Sequence, residues 1–173
     1  MTARPFLAHV ARLRRTIASR LHEQIVAPID GLEVTGSRVP DGAPVSVDVV
    51  LESVSGGIEA SGTVEAPWVG SCRRCLEEAS GTLVVPVREL YTEGGDGEDT
   101  YPLEDDTVDL EVLAHDAVLL ELPAAPLCRP DCRGLCPICG ANRNLDACDC
   151  KPVRDPRFAV LDVLKTTDID AGN

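Results

Sequence analysis

Eight cysteines constrain this 173-residue chain more than any other feature, spaced Cys72-x2-Cys75 and then Cys128-x3-Cys132-x3-Cys136-x2-Cys139-x8-Cys148-x-Cys150. They divide into two sets of four, the number of soft sulfur ligands that a tetrahedral zinc ion takes at about 2.3 Å. A C-x2-C turn lets one tight loop present two sulfurs to the same ion. In Cys136-Pro137-Ile138-Cys139-Gly140 the proline presets such a turn, and the glycine permits the left-handed conformation that brings backbone N–H groups to the sulfurs. Cys72-Arg73-Arg74-Cys75-Leu76 lies between two candidate strands and reads as a hairpin tip, with Leu76 where the knuckle glycine would stand. The preferred assignment places Cys72, Cys75, Cys128 and Cys132 on one zinc ion and Cys136, Cys139, Cys148 and Cys150 on a second. The first site would then clip a sheet to the cysteine-rich tail, whereas the second is wholly local. The alternative grouping joins Cys72 and Cys75 to Cys136 and Cys139.

Whether such thiols pair as disulfides or bind metal depends on the compartment. The opening MTARPFLAHVARLRR has no continuous apolar core followed by a small-residue cleavage site, and no stretch approaches the length of a membrane span. A cytoplasmic, metal-binding chain is the expectation. Thioredoxin-type chemistry also uses C-x-x-C, but it requires a helix opening and a βαβ surround that neither motif has. A four-thiolate site can instead hold an iron-sulfur cluster, and colour would separate that case from zinc. Cys132-x3-Cys136-x2-Cys139 also matches a radical SAM triplet, on a chain too short for that barrel.

The net charge of -13 argues against bare nucleic acid as the main partner, because that affinity comes from Lys and Arg displacing counterions. It favours basic proteins. Catalytic readings are weak. His9, His22 and His115 stand outside any motif, and Asp105, Asp106 and Asp109 read as a helix-start acid cluster. Phosphate-binding glycine loops and nucleophile elbows are absent, and a closed four-thiolate zinc has no open position to activate water. The chain is therefore expected to be no enzyme, with no small-molecule substrate and no membrane partner.

The fold class expected is α+β: an antiparallel sheet domain with flanking helices and a C-terminal cysteine-rich zinc module. Phe6, Val10, Leu13, Ile17 and Leu21 at helical spacing, with Arg12, Arg14, Arg15 and Arg20 at other angles, predict a basic amphipathic helix within 1–24. Alternation of Val45, Val47, Val49 and Leu51 predicts a strand, returned at Gly56-Gly57 into Ile58 to Ala66, with Trp68 to Ser71 continuing it. Thr82 to Leu90 is a further strand, with Pro86 at an edge or bulge. A domain over 25–127 would carry an acidic, solvated loop at 93–106 and a helix at 107–122, marked by Leu110, Leu113, Ala117 and Leu120 and ended by Pro123. The zinc module covers 128–165, closing on a short element with Phe158, Val160, Leu161 and Leu164, and 166–173 is a frayed tail.

Three runs together resemble the YceD family of large ribosomal RNA subunit accumulation proteins: Cys72-Arg73-Arg74-Cys75-Leu76-Glu77, Leu119-Leu120-Glu121-Leu122-Pro123, and Asp131-Cys132-Arg133-Gly134-Leu135-Cys136-Pro137-Ile138-Cys139-Gly140 through Cys148-Asp149-Cys150. With Asp155-Pro156-Arg157-Phe158 the likeness extends over roughly 25–165. Family members commonly carry Asn-Leu-Asn after the knuckle, where this chain has Asn142-Arg143-Asn144-Leu145. The resemblance implies a non-catalytic factor in accumulation or processing of large-subunit rRNA, whose partner would be a basic ribosomal protein or a pre-ribosomal particle. Local RNA contact could come from Arg12, Arg14, Arg15 and Arg20, or from Arg73, Arg74, Arg129, Arg133 and Arg143. The rival readings are a cysteine-based redox or metal-sensing protein, whose exposed thiolates would change state, and a ribonuclease acting on precursor rRNA.

Overall fold

The protein is described from a computed structural model over residues 5–95 and 99–151, together with Arg157 and Leu161. Two compact units divide the chain, Met1–Cys132 and Arg133–Asn173.

The first unit is built on alternation. In β4 (Pro44–Val54), Val45, Val47, Val49 and Leu51 are all fully buried, and the residues between them are not. Such period-two burial commits one face of a strand to a core. A two-residue turn, Ser55-Gly56, joins β4 to β5 (Gly57–Ser71), pairing Val54 with Gly57, and Gly56 supplies the positive φ of 104° that the tight return needs. β5 runs unbroken through Pro67 and pairs antiparallel with β6 (Glu78–Thr92) from Ile58 opposite Tyr91 to Ser71 opposite Glu78.

The remaining strands extend this sheet. β2 (Arg20–Pro28) lies antiparallel on the far side of β4, and β3 (Ser37–Arg38) pairs with β5 at Val69 and Gly70. β7 (Tyr101–Pro102) runs parallel to the end of β6, giving the path β2-β4-β5-β6-β7. At Pro86 the only neighbour of β6 among the described residues is β5, so the missing N–H costs no second ladder.

Among the described residues the one α-helix, α1 (Leu110–Glu121), packs on the buried face through Leu110, Leu113, Ala114 and Val118. Asp109 caps it, its Oδ1 accepting from the Glu111 N–H at 2.9 Å. The Leu122 N–H closes the last turn on the Val118 carbonyl before Pro123. A second, two-stranded sheet holds the amino-terminal β1 (Leu7–His9) against β8 (Thr107–Asp109), directly before the helix. Phe6 is buried there, and its carbonyl accepts from the Leu110 N–H at 3.0 Å. No helix among the described residues is long and apolar enough to cross a membrane.

The flanking amino-terminal helix does not form. Phe6, Val10, Leu13, Ile17 and Leu21 fit a helical stripe, but over the first part of the segment Phe6, Ala8 and Val10 are buried in alternation, as in a strand, and Leu13 is buried from the turn that follows. Ile17 is 74% exposed, and Ala18 takes a φ of 64° that ends any right-handed helix. Only a 3-10 turn, Leu13–Arg15, remains between two strands. β2 is a strand because β4 offers it a ladder from Arg20 opposite Glu52 to Pro28 opposite Pro44.

The acidic loop also buries more than its composition announces. Leu103 is in the core, and the Tyr101 ring lies 5.3 Å from that of Tyr91. Arg14 pairs with both Glu93 and Asp106. Asp96 and Glu98 lie outside the described residues, as do Phe158, Val160 and Leu164 of the expected closing element; Leu161 is half exposed.

The helix face differs from the expected stripe too. Leu120 is 86% exposed, whereas Leu113 is at 1%. Leu113→Ala is therefore expected to lower unfolding stability by about 2–5 kcal/mol in a denaturant titration, and Leu120→Ala by about 0.5 kcal/mol or less.

Candidate metal centre

The hairpin between β5 and β6 ends in a six-residue loop that carries the first two cysteines. Inside it the Cys72 N–H donates to the Glu77 carbonyl at 2.7 Å, and the Leu76 N–H to the Cys72 carbonyl at 2.9 Å. In the second unit the Cys136 N–H donates to the Ala141 carbonyl at 2.8 Å, and the Gly140 N–H to the Cys136 carbonyl at 2.9 Å. The two loops thus share one backbone pattern at the same offsets from their first cysteine. Leu76 adopts the left-handed conformation, φ 65°, at the place where Gly140 has φ 74°. Leucine at the knuckle-glycine position changes the side chain without changing the turn.

The segment after α1 returns to the first loop. The Arg73 N–H donates to the Pro126 carbonyl at 2.9 Å, and Arg74 Nη1 donates to the Cys132 carbonyl at 2.9 Å. These bonds bring Cys128 and Cys132 to Cys72 and Cys75, and all four sulfurs lie within 4.8 Å of one another. Cys72 and Cys132 sulfurs are 3.8 Å apart, and those of Cys75 and Cys128 are 3.6 Å apart. Sulfurs each about 2.3 Å from a common centre stand about 3.8 Å apart at the corners of a tetrahedron, whereas a disulfide needs about 2.05 Å. The donor set therefore fits a metal ion.

Cys136, Cys139, Cys148 and Cys150 form a second cluster within the same limit. Its frame is local. The Arg143 N–H donates to the Gly134 carbonyl at 2.9 Å, and the Arg133 N–H to Asn144 Oδ1 at 2.8 Å. Asn144 in turn donates from its backbone and side-chain nitrogens to Asn142 Oδ1, at 3.0 and 2.9 Å. Asn142 and Asn144 thus build the loop between the two cysteine pairs. Their structural part was missed from the sequence, although Asn side chains that bond backbone two residues away are a known turn signal.

Electrostatics prepares one thiol in each cluster. Burial pushes the Cys72 thiol up, but N–H groups of Cys128, Cys75 and Arg74 outweigh it and bring the group down to about 6. N–H groups of Cys139 and Ile138 bring Cys136 down to about 6, against the opposing effect of burial. Burial, then the neighbouring Cys75, Cys132 and Cys72 thiols, pushes Cys128 up to about 12. Cys150 is raised to about 12 by Cys139 first and burial second. Four thiols so close cannot all ionise without a cation to compensate them.

The nine arginines singled out for RNA contact are differently employed. Arg14 is held by Glu93 and Asp106, Arg20 by Glu52 at 2.8 Å, and Arg129 lies 3.4 Å from Asp131. Arg74 is occupied with the carbonyls of Cys132 and Pro130. Arg12, Arg15, Arg73, Arg133 and Arg143 are exposed and form no ion pair among the described residues.

A family model described as large ribosomal RNA subunit accumulation protein YceD matches residues 60–165, a span that contains both clusters. The chain belongs to the YceD family. An uncharacterised protein of Mycobacterium tuberculosis is 40% identical to this YceD chain over 169 residues, covering 92% of it and 81% of the relative. Another, of Mycobacterium leprae, is 38% identical, covering 74% of this chain and 62% of its own. The large ribosomal RNA subunit accumulation protein YCED homolog 1, chloroplastic, of Arabidopsis thaliana is 30% identical over 69% of this chain and 48% of its own. No solved structure matches.

The two knuckles of this YceD chain make a paired prediction. Nothing lies within 4 Å of a Cβ added at Gly140, so the cost of Gly140→Ala is conformational alone. It should weaken cobalt(II) binding at the second cluster by about 1 kcal/mol, read in the thiolate-to-cobalt absorption band, while Leu76→Gly, relieved of its Cβ, should tighten the first by a similar amount.

Proposed function

We propose that this chain is a non-catalytic zinc-binding factor in large ribosomal subunit biogenesis, supporting accumulation or processing of large-subunit rRNA. Membership of the YceD family carries the reading, together with the word "accumulation" in the names of the plant relatives. The cysteine clusters support zinc as the resident ion: four sulfurs and no other donor suit a closed tetrahedral site, which stabilises a scaffold and leaves no position for substrate. In the first site Cys72, Cys75, Cys128 and Cys132 would hold the ion, and in the second Cys136, Cys139, Cys148 and Cys150. Such a scaffold works by holding others.

The partner proposed is a basic ribosomal protein or a pre-ribosomal particle, since a chain of net charge -13 attracts cationic surfaces. The exposed Arg12, Arg15, Arg73, Arg133 and Arg143 would contact RNA locally, each neutralising a phosphate without reading sequence. A cytoplasmic place of action accords with thiols that are free rather than paired. The domain division proposed follows the metal: a sheet domain closed by the first site, and a module organised by the second.

Two experiments test this reading. Depletion in growing cells should lower the ratio of large to small subunits and leave large-subunit rRNA short of its normal level, measured by gradient sedimentation and RNA blotting. Unchanged subunit balance would remove the proposal. Metal analysis of the purified protein should give two zinc ions per chain.

The pH dependence follows from the thiols. Zinc binds thiolates, so protons compete with it, and the bound form is lost as pH falls. Cys72 and Cys136, near 6, are already ionised at pH 7, whereas Cys128 and Cys150, near 12, must each release a proton when zinc enters. Zinc affinity should therefore rise with pH and drop steeply once the pH falls through about 6, read by competition with a chromogenic chelator.

A further inference from the structure

The six-stranded sheet has two long edges, and they are guarded differently. Along β6 the outer side is unpaired among the described residues from Glu78 to Leu90, and Pro86 interrupts it. A proline there removes a donor that another chain could use. β2 forms the opposite edge, pairing with β4 alone among the described residues, with neither a lysine nor an internal proline between Arg20 and Pro28. It offers an outer row of backbone N–H and C=O groups about 30 Å long, at roughly 3.4 Å per residue.

On the core side of that edge stand Leu21, Glu23, Ile25 and Ala27, all half-buried, the three apolar ones packed against the hydrophobic core. Glu23 interrupts their row. Its carboxylate has no ion-pair or hydrogen-bond partner among the described residues. The opposite face of β2 is different: Arg20 pairs with Glu52, while His22 and Gln24 lie 2.6 and 3.2 Å from Asp48. An inward-facing carboxylate on an edge strand disfavours pairing with an uncharged or acidic strand. Self-pairing of β2 about Gln24 would make the two Glu23 side chains diagonal neighbours on one face, which repels. A cation set opposite Glu23 reverses that sign.

We propose that β2 is a docking edge for an extended basic segment of a protein partner, which adds to the sheet as a further strand with a lysine or arginine against Glu23. The proposal rests on the reading that this factor serves a basic ribosomal protein, and it adds where and by what contacts that protein is held. Main-chain hydrogen bonds supply the attachment, the row of Leu21, Ile25 and Ala27 receives alternate apolar side chains, and Glu23 selects the charge.

The test uses the full zinc-loaded chain and a synthetic extended peptide in which every second residue, on one face, is valine except for a single lysine placed to meet Glu23, with threonine and arginine on the other face. Binding should protect amides of β2 from hydrogen exchange and shift their NMR signals. Glu23→Lys should weaken binding about tenfold, whereas Glu65→Lys, an equal change of net charge at an exposed site on β5, should leave it within about twofold. Glu23→Gln serves as the milder variant should Glu23→Lys not fold. N-methylation of alternate peptide nitrogens should abolish binding if the main chain makes the contact. Equal losses from Glu23→Lys and Glu65→Lys, indifference to N-methylation, protection mapped elsewhere, or a dimer through β2 in sedimentation would each overturn the docking edge. If Glu23→Lys still recovers ribosomal material from cells as well as the wild type does, the edge is refuted and the proposed function stands. If the wild type recovers none, both fall.

Discussion

The ladder between β5 and β6 sets the geometry on which both core and cysteine cluster of the first unit depend. From Ile58 opposite Tyr91 to Ser71 opposite Glu78 it holds one register without interruption. A slip of one residue would turn Ala60, Val64 and Ala66 out of the core and carry Cys72 away from the Glu77 carbonyl that its N–H meets. The same register that fixes which side chains face α1 therefore fixes the loop that presents two sulfurs.

The return of Cys128 and Cys132 depends on elements far away in sequence. Asp109 starts α1, Leu122 and Pro123 end it, and the chain then passes Gly36, where a Cβ would lie only 2.3 Å from the Ala124 carbonyl. Ser37 Oγ donates to the Pro123 carbonyl at 2.9 Å in the same region. These close approaches, with the Arg73 and Arg74 bonds, position the second pair of thiols for the first cluster. The second cluster needs no such help, because Gly134, Asn142 and Asn144 frame it within a few residues.

Physical accessibility separates the two clusters. Three thiols of the first, Cys72, Cys75 and Cys132, are buried and Cys128 is exposed, while in the second only Cys136 is buried, Cys148 and Cys150 being half-buried and Cys139 exposed. An ion in the first would be shielded by the sheet and would close a loop of more than fifty residues; one in the second would meet solvent. Arginines near the first cluster are part of its construction as much as of any surface, since Arg74 is spent on carbonyls.

Residue spacing alone carried the C-x2-C turns at Cys72 and Cys136, the alternating strand at Val45 to Leu51, the return at Gly56, the edge position of Pro86 and a helix through Leu110 and Leu113, although its start, expected at 107, falls at Leu110 because Thr107–Asp109 pair with β1. Those are local signals, each complete within a turn or a strand. The amino-terminal segment was decided elsewhere: its apolar residues suit a helix as well as two strands, and only the free sides of β4 and β8 made strands the lower-energy answer. Leu76 in a glycine's conformation, Tyr101 and Leu103 inside an acidic stretch, and Arg14 held by Glu93 and Asp106 likewise depend on neighbours that no short window contains. Sequence wrote the cysteine pairs and the local turns; tertiary packing chose which segments pair, because a strand acquires its stability only from a partner that folding brings to it.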